Sequence, residues 1–378
     1  LAAAGDLYGL SLHSRPVLEW SLAAHSRAIA SSPAAELHIN RGVLYLALRR
    51  FEEARKDFDA AIHLRPGDGQ ALLRKAALLF ALGDVGAVAP LLNQALSAGV
   101  TTPDALFLRA NLLLAQGDPE EALREADKAI KLAPEDPGLL YLLGLIHLAR
   151  GDPDKAMNQA KQTIESLRTF YPAFELRAAS KVEIQDFLGA GQDVNDAIRL
   201  RPDYAPAFVT RARIRHHDGN KTSAELDLDR AAELDSKLAS PWIWRGEFLR
   251  LQVFTKSRDL LRRSFTEGTP ADRRVPLLRQ AQAVFAKAGS IDPNSADARA
   301  MQVVCEIDLG QAQAAEKLEE IIRKFPKYPF GFEIRGGLHY RAARYEPAIQ
   351  DWTRAAELQP ARRSYYKEQI DDAKRKLE

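Results

Sequence analysis

Pro66, Pro134 and Pro202 stand 68 residues apart, and an acidic or Gly-Asp turn follows each of them. Half of that interval, 34 residues, is a frame that recurs along most of the chain. A fixed period of about 20–50 residues marks a stacked array, because one small unit cannot bury its own apolar face and its neighbours must. Counting from Ala35, Gly42 and Tyr45 fall at places 8 and 11, and Ala54, Phe58, Ala61 and Pro66 at places 20, 24, 27 and 32. The same places return as Ala76, Leu79, Leu92 and Ala95, then as Ala110, Leu113, Ala122, Ala126, Ala129 and Pro134. Later frames supply Gly144, His147, Ala156 and Ala160, then Ala178, Ala190, Val194, Ala197 and Pro202, then Ala212, Ala224, Leu228 and Ala231.

Places 4, 8 and 11, and again 20, 24 and 27, have the i, i+4, i+7 spacing of one helical face, so each period predicts two helices. Small residues at places 8, 20 and 27 let those helices approach closely, and larger ones fill the gaps. Gly117-Asp118-Pro119 and Gly151-Asp152-Pro153 separate the two. Gly suits the left-handed end of the first helix, Asp caps the second, and Pro takes its first turn. These loops lack the Gly-rich spacing with Lys that a phosphate cradle needs, so they are turns.

This pattern resembles the tetratricopeptide repeat, a helix–turn–helix unit of the same length. The resemblance covers about residues 35–362 and implies an all-α, right-handed superhelical solenoid. Residues 1–34 read as a degenerate N-terminal repeat or cap, with Gly9, Ala28 and Pro33 in frame. Six repeats follow over 35–238, an interrupted one over 239–294, two more over 295–362, and a polar capping helix over 363–378. In the interrupted repeat, Trp242 and Gly246 are followed late by Ala281, Phe285, Ala288 and Pro293. The inserted part, at about 252–275, is longer than the short connections usual between helices. Val253, Leu260, Leu261 and Phe265 predict that 252–265 extends the first helix. Thr269-Pro270 is then expected to turn the chain and Pro276 to start the returning helix.

Place 7 prefers a base: Arg41, Lys75, Arg109, Arg177, Arg211, Arg245 and Arg335. Sixteen residues later stand Asp57, Glu125, Asp193, Asp227 and Asp351, each matching an Arg, whereas Lys75 and Arg245 face Leu91 and Val284. A basic ladder for phosphate is the functional alternative, but acids matched to the bases predict helix-to-helix bridges of the scaffold.

The resemblance implies that the first helix of every repeat lines the concave surface through places 2, 5, 9 and 12. In the first four repeats these include Ile39, Val43, Leu73, Phe80, Phe107, Leu114, Tyr141 and Leu145, with Asn111 the one strong hydrogen-bonding group near the middle. An exposed apolar stripe of that length implies a partner's helix or extended peptide, the chain's own N-terminal segment, or a second copy. Some members of the family clamp a C-terminal carboxylate with Lys and Asn; Ile39 and Val43 stand where that clamp would begin, so it is absent. Arg213, His216, His217, Glu247, Arg250 and Glu306 replace the stripe later, predicting a charged contact. The insertion adds Lys256, Arg258, Arg262, Arg263, Arg273 and Arg274, either a prong for RNA or an acidic partner or a solvated extension. Without aromatic platforms at regular spacing, it is weak evidence for nucleic acid.

No catalytic constellation, metal-ligand set or cofactor fingerprint emerges. Adjacent His216 and His217 point about 100° apart on a helix, unlike an i, i+4 zinc pair. His147, His339 and Cys305 fall at place 11 and are expected in the core, where a lone cysteine is inert. Asn220-Lys221-Thr222 matches a glycosylation acceptor, a weak three-residue pattern. With 53 basic and 51 acidic side chains, the chain is no polybasic nucleic-acid binder. No run of about 18 apolar residues is present to cross a membrane. Leu1, with no initiator Met, is expected to be an engineered or processing boundary, which fits a processed envelope protein or, preferably, a cytoplasmic one. The expectation is a non-catalytic, cofactor-free scaffold that binds a protein or peptide in its groove. Self-association and RNA or acidic-partner binding through the insertion are the alternatives.

Overall fold

The computed structural model describes residues 15–254 and 271–378. Among these residues there are twenty α-helices, one short 3-10 turn and no strand. They divide into two compact units, the described residues up to 146 with 162–170, and residues 147–161 with the described residues from 171 on.

The first unit opens with the helix Arg15–Ser31 and continues with three antiparallel pairs. These are Ala35–Ala47 with Phe51–Leu64, Gly69–Leu82 with Val85–Ser97, and Pro103–Ala115 with Pro119–Leu132. The division between units passes through the next pair, Pro137–Ala149 and Pro153–Ser166. The second unit pairs Tyr171–Glu183 with Phe187–Leu200, Ala205–His217 with Lys221–Leu234, and Ser240–Leu251 with Ala271–Ile291. Ala296–Asp308 with Ala314–Lys324 and Pro329–Arg341 with Tyr345–Leu358 complete it, and Arg363–Leu377 closes the end.

Caps set these boundaries. Gly117 and Gly151 take the left-handed conformation at φ 77° and 75°. The Asp118 carboxylate accepts the Glu121 N–H at 3.3 Å, and Asp152 accepts the Lys155 N–H at 3.2 Å. Arg49, Gln185 and Ala343 hold the same left-handed place in their own turns without being glycine. Asn220 is also a cap, accepting from the Ser223 N–H, which gives the sequon asparagine a structural use.

Places 20, 24 and 27 are all buried, and in six repeats the residue at place 24 is matched in size to the one at place 8. Phe58, Phe285 and Trp352 stand opposite Gly42, Gly246 and Gly336, whereas Leu92, Val194 and Leu228 stand opposite alanines. A Cβ on Gly42, Gly246 or Gly336 would lie 2.5, 2.6 or 2.6 Å from the facing ring. Each ring therefore occupies the space where a methyl group would stand.

The expected bridges form, with one loosened. Arg41–Asp57, Arg177–Asp193, Arg211–Asp227 and Arg335–Asp351 are bidentate, with Nε and NH2 donating to both carboxylate oxygens at 2.5–2.9 Å. Arg109 comes only to 4.0 Å of Glu125, which instead accepts from Lys128 at 2.8 Å. Lys75 and Arg245, lacking a forward acid, reach back sixteen residues to Asp59 and Asp229 of the preceding repeat, at 2.6 and 2.5 Å. Arg335 does both, adding Glu319 at 2.7 Å. Where place 7 is basic, it thus ties its helix pair internally or to the pair before it.

The described ends of the insertion depart from expectation, while Leu260, Leu261, Phe265 and Thr269-Pro270 lie outside the described residues. The first helix stops at Leu251 instead of running on, and the returning helix begins at Ala271, five residues before Pro276. The chain breaks there because Val253 and Phe254 turn inward with Leu278, beside Leu277 and Leu309, to form a small core of their own. A straight continuation would have carried those two apolar side chains into water.

Replacing Gly336 by Ala forces its Cβ against Trp352 and should destabilise the protein by about 1–3 kcal/mol. Paired with Trp352→Leu, which recreates the Ala–Leu match of other repeats, it should cost less than the sum of the two single changes. Urea denaturation of the four proteins measures that coupling.

Candidate functional site

An open groove of about 590 Å3 lies in the first unit, between the helices Arg15–Ser31, Ala35–Ala47 and Gly69–Leu82. Ile39, Val43 and Leu44 make its apolar lining, and His25, Glu36, Asn40, Gln70 and Arg74 its polar one. The helical frame produces this arrangement. Places 2, 5, 6 and 9 of one first helix face places 2 and 6 of the next, so the lining recurs at turn spacing. The charged members are already engaged: Glu36 accepts from Arg65 at 2.7 Å, and Arg74 lies 3.3 Å from Asp104. The His25 Nδ1–H donates to the Ser21 carbonyl at 2.9 Å.

Ile39 and Val43 both line this groove. Leu73 does not, because at 2% exposure it is enclosed between Ala76, Leu92 and Leu108 in the core of its repeat. Phe80 packs at the edge of that core, and Phe107 on those of its own and the following repeat. Tyr141 meets Phe170 edge-on at 5.2 Å, and Leu145 is half-buried. Asn111 donates to the Phe107 carbonyl one turn back at 2.9 Å, so its amide N–H serves its own helix. His25, Asn40, Leu44, Gln70 and Arg74 escaped the sequence reading. Asn40 and Arg74 share place 6 and Gln70 takes place 2, so the frame held that signal; His25 lies in the out-of-frame first helix.

The expected charged contact in the second unit is not a solvent-facing site. Arg213 donates to Glu183 at 2.6 Å and lies over the Trp244 ring at 4.1 Å. Arg250 is fully buried and donates to Asp308 at 3.0 Å, with Glu247, also buried, 4.0 Å away. Glu306, 1% exposed, accepts from Lys317 at 2.9 Å and from Gln282 and Gln302 at 3.2 Å. These charges join neighbouring helices, and Arg250 also lies over the Phe254 ring at 5.6 Å. Of the basic insertion, Arg273 is exposed and Arg274 half-buried, while Lys256, Arg258, Arg262 and Arg263 lie outside the described residues.

The two histidines diverge. His216 stacks on Phe248 of the next repeat at 3.9 Å, and His217 on Phe187 of the previous one at 3.5 Å. Among the described residues no group of three His, Cys, Asp or Glu could hold a metal ion. Cys305 and His147 are buried, whereas His339 is half-exposed beside Asp351 at 3.7 Å. A place 11 histidine there points past the core toward the buried carboxylate of its own repeat.

Family models described as tetratricopeptide repeat match residues 35–68 and 107–166, two stretches in phase with the observed helix pairs. Both stretches are tetratricopeptide repeats (TPR). Proteins of this family act as protein-interaction scaffolds and bind protein or peptide partners. Among the described residues of this TPR chain, no helix is long and apolar enough to cross a membrane. Solved structures similar to it include a tetratricopeptide repeat protein of Parabacteroides merdae, at 18% identity and TM-score 0.47, covering 62% of this chain and 92% of that one. YrrB, described as a TPR protein with an unusual peptide-binding site, is 21% identical at TM-score 0.38, covering 49% of this chain and 95% of its own. Yeast Tom70 is 17% identical at TM-score 0.41, covering 86% and 76%. No curated protein matches the TPR chain.

Burial, with Lys221 adding to it against Glu225, holds the His216 imidazole below its ordinary value. The unfolded chain then takes up that proton first, so this stability is present above a pH of about 6.5 and is lost as pH falls through the lower folded value. His216→Phe should preserve the ring stack and flatten the loss of thermal stability between pH 7 and 5, as measured by Tm.

Proposed function

We propose that this TPR scaffold is non-catalytic and holds a partner protein through a helix or extended segment seated in the groove of its first unit. The carrying observation is the open lining of Ile39, Val43 and Leu44 beneath Asn40 and Gln70. Apolar side chains left partly in water at helical spacing gain free energy when a partner covers them, at about 25 cal/mol per Å2. The neighbouring apolar residues Phe80 and Phe107 are half-buried and extend the same stripe. Nucleic acid is not the proposed partner, since the first unit offers no row of free cations among the described residues, and Arg41, Lys75 and Arg74 all have acidic neighbours. A photoreactive side chain at position 43 should cross-link a protein in source-cell lysate. The same group at Leu226, exposed on a second helix, should not. Equal labelling from both positions would remove the groove as the binding site.

Self-association is a second reading, favoured by one observation. Val17 and Trp20, one turn apart on the helix Arg15–Ser31, are both largely exposed. A Trp20→Ser variant should then lower the concentration-dependent mass seen by light scattering; a parent protein of constant monomer mass would end this reading.

A further inference from the structure

Resting on the groove reading above, we infer that the first unit's groove selects an uncharged apolar segment, and that its recognition is neither acidic nor basic. The inference comes from what already surrounds the site. Glu36, the one carboxylate in the lining, is held by Arg65 at 2.7 Å. Arg74, the one guanidinium, is held by Asp104 at 3.3 Å. The Glu36–Arg65 pair ties the two helices of the first repeat and the Arg74–Asp104 pair links successive repeats, so drawing either charge toward a ligand would break a contact of the scaffold.

What remains free is of a different kind. Asn40 and Gln70 are exposed amides with no side-chain partner among the described residues. An amide offers one acceptor and two donors, which suits a peptide backbone and gives no preference for either sign of charge. Ile39, Val43 and Leu44 line the same groove as these amides, and Val43 is 39% exposed. A volume of about 590 Å3 falls in the ordinary range of ligand pockets, about 300–1,000 Å3. A charged side chain entering it would lose part of its hydration and meet no unpaired opposite charge, whereas an apolar one would displace water from Val43.

The same economy of charge runs through the bases nearby. Arg41 is fixed by Asp57 and Lys75 by Asp59, so neither flank of the groove contributes a free cation. Long-range steering by the site is correspondingly weak, and association depends on contact burial rather than on field.

The test uses the full chain and three end-blocked decapeptides that alternate Leu or Val with a second residue, which is Ser or Gln in the first, Asp in the second and Lys in the third. Fluorescence anisotropy is read at 50 and 300 mM salt with the parent and with Val43→Asp, whose fold is checked by circular dichroism. The neutral peptide should bind at least tenfold more tightly than either charged one, change less than about twofold with salt, and lose binding on Val43→Asp. Tighter binding of the Asp or Lys peptide that falls steeply with salt and is lost on Val43→Asp would overturn the inference while leaving the groove in place. Binding of every peptide unchanged by Val43→Asp would overturn the groove reading itself. A parent protein that binds none of the three would overturn the inference, since the neutral peptide carries the chemistry it requires.

Discussion

The closest approach of the two helices within each repeat is the constraint on which the rest of the structure depends. Place 8 of the first helix and place 24 of the second must together fill one fixed gap. Gly42 with Phe58 and Gly336 with Trp352 fill it with a ring against bare backbone, whereas Ala212 with Leu228 share it more evenly. Interiors pack like crystals, so in these repeats a larger residue at place 24 accompanies a smaller one at place 8, whereas Ala110 with Ala126 and Gly144 with Ala160 are small on both sides. Once that distance is set, the residues at places 20 and 27 come to lie against the first helix, and alanine is the size that fits.

Charge then follows packing. Carboxylates such as Asp193 and Asp227 are nearly enclosed because the second helix lies so close, and an enclosed carboxylate must have a cation. Arg177 and Arg211 meet that demand within the repeat, and Lys181 and Arg215 add a second cation to each acid at 2.9 and 2.8 Å. The end of the array uses the same logic without the Arg at place 7. Glu333 accepts from Arg362, Tyr365 and Tyr366 at 3.0–3.2 Å, so the closing helix is held by a buried carboxylate as well as by Ala373 and Tyr366. Burial raises the Glu333 carboxyl above the ordinary range against the pull of Arg362.

The groove is what this packing leaves over. First helices crowd one another, so a residue at place 5 can be core, as Leu73 is, or lining, as Ile39 is, depending on its neighbours. The same crowding converts Arg213 and Arg250 from solvent-facing charges into links between helices. Period alone assigns both kinds of residue to one face. The difference arises from side chains several tens of residues away, which a frame does not count.

By itself the sequence determined the all-α repeat architecture, the positions of the helix pairs, the turns at Gly117 and Gly151, and the Arg–Asp bridges, because each depends on residues at fixed short separations. Turn spacing also sets Ile39 and Val43 on one face of their helix, and both line the cavity of the first unit. Tertiary structure decided the backward reach of Lys75 and Arg245, the burial of Leu73, Glu247 and Arg250, and the early end of the helix at Leu251. It also placed His25, Asn40, Gln70 and Arg74 around one cavity. Those outcomes depend on which helices lie side by side and on how much water each side chain keeps, quantities that exist only after the repeats have stacked.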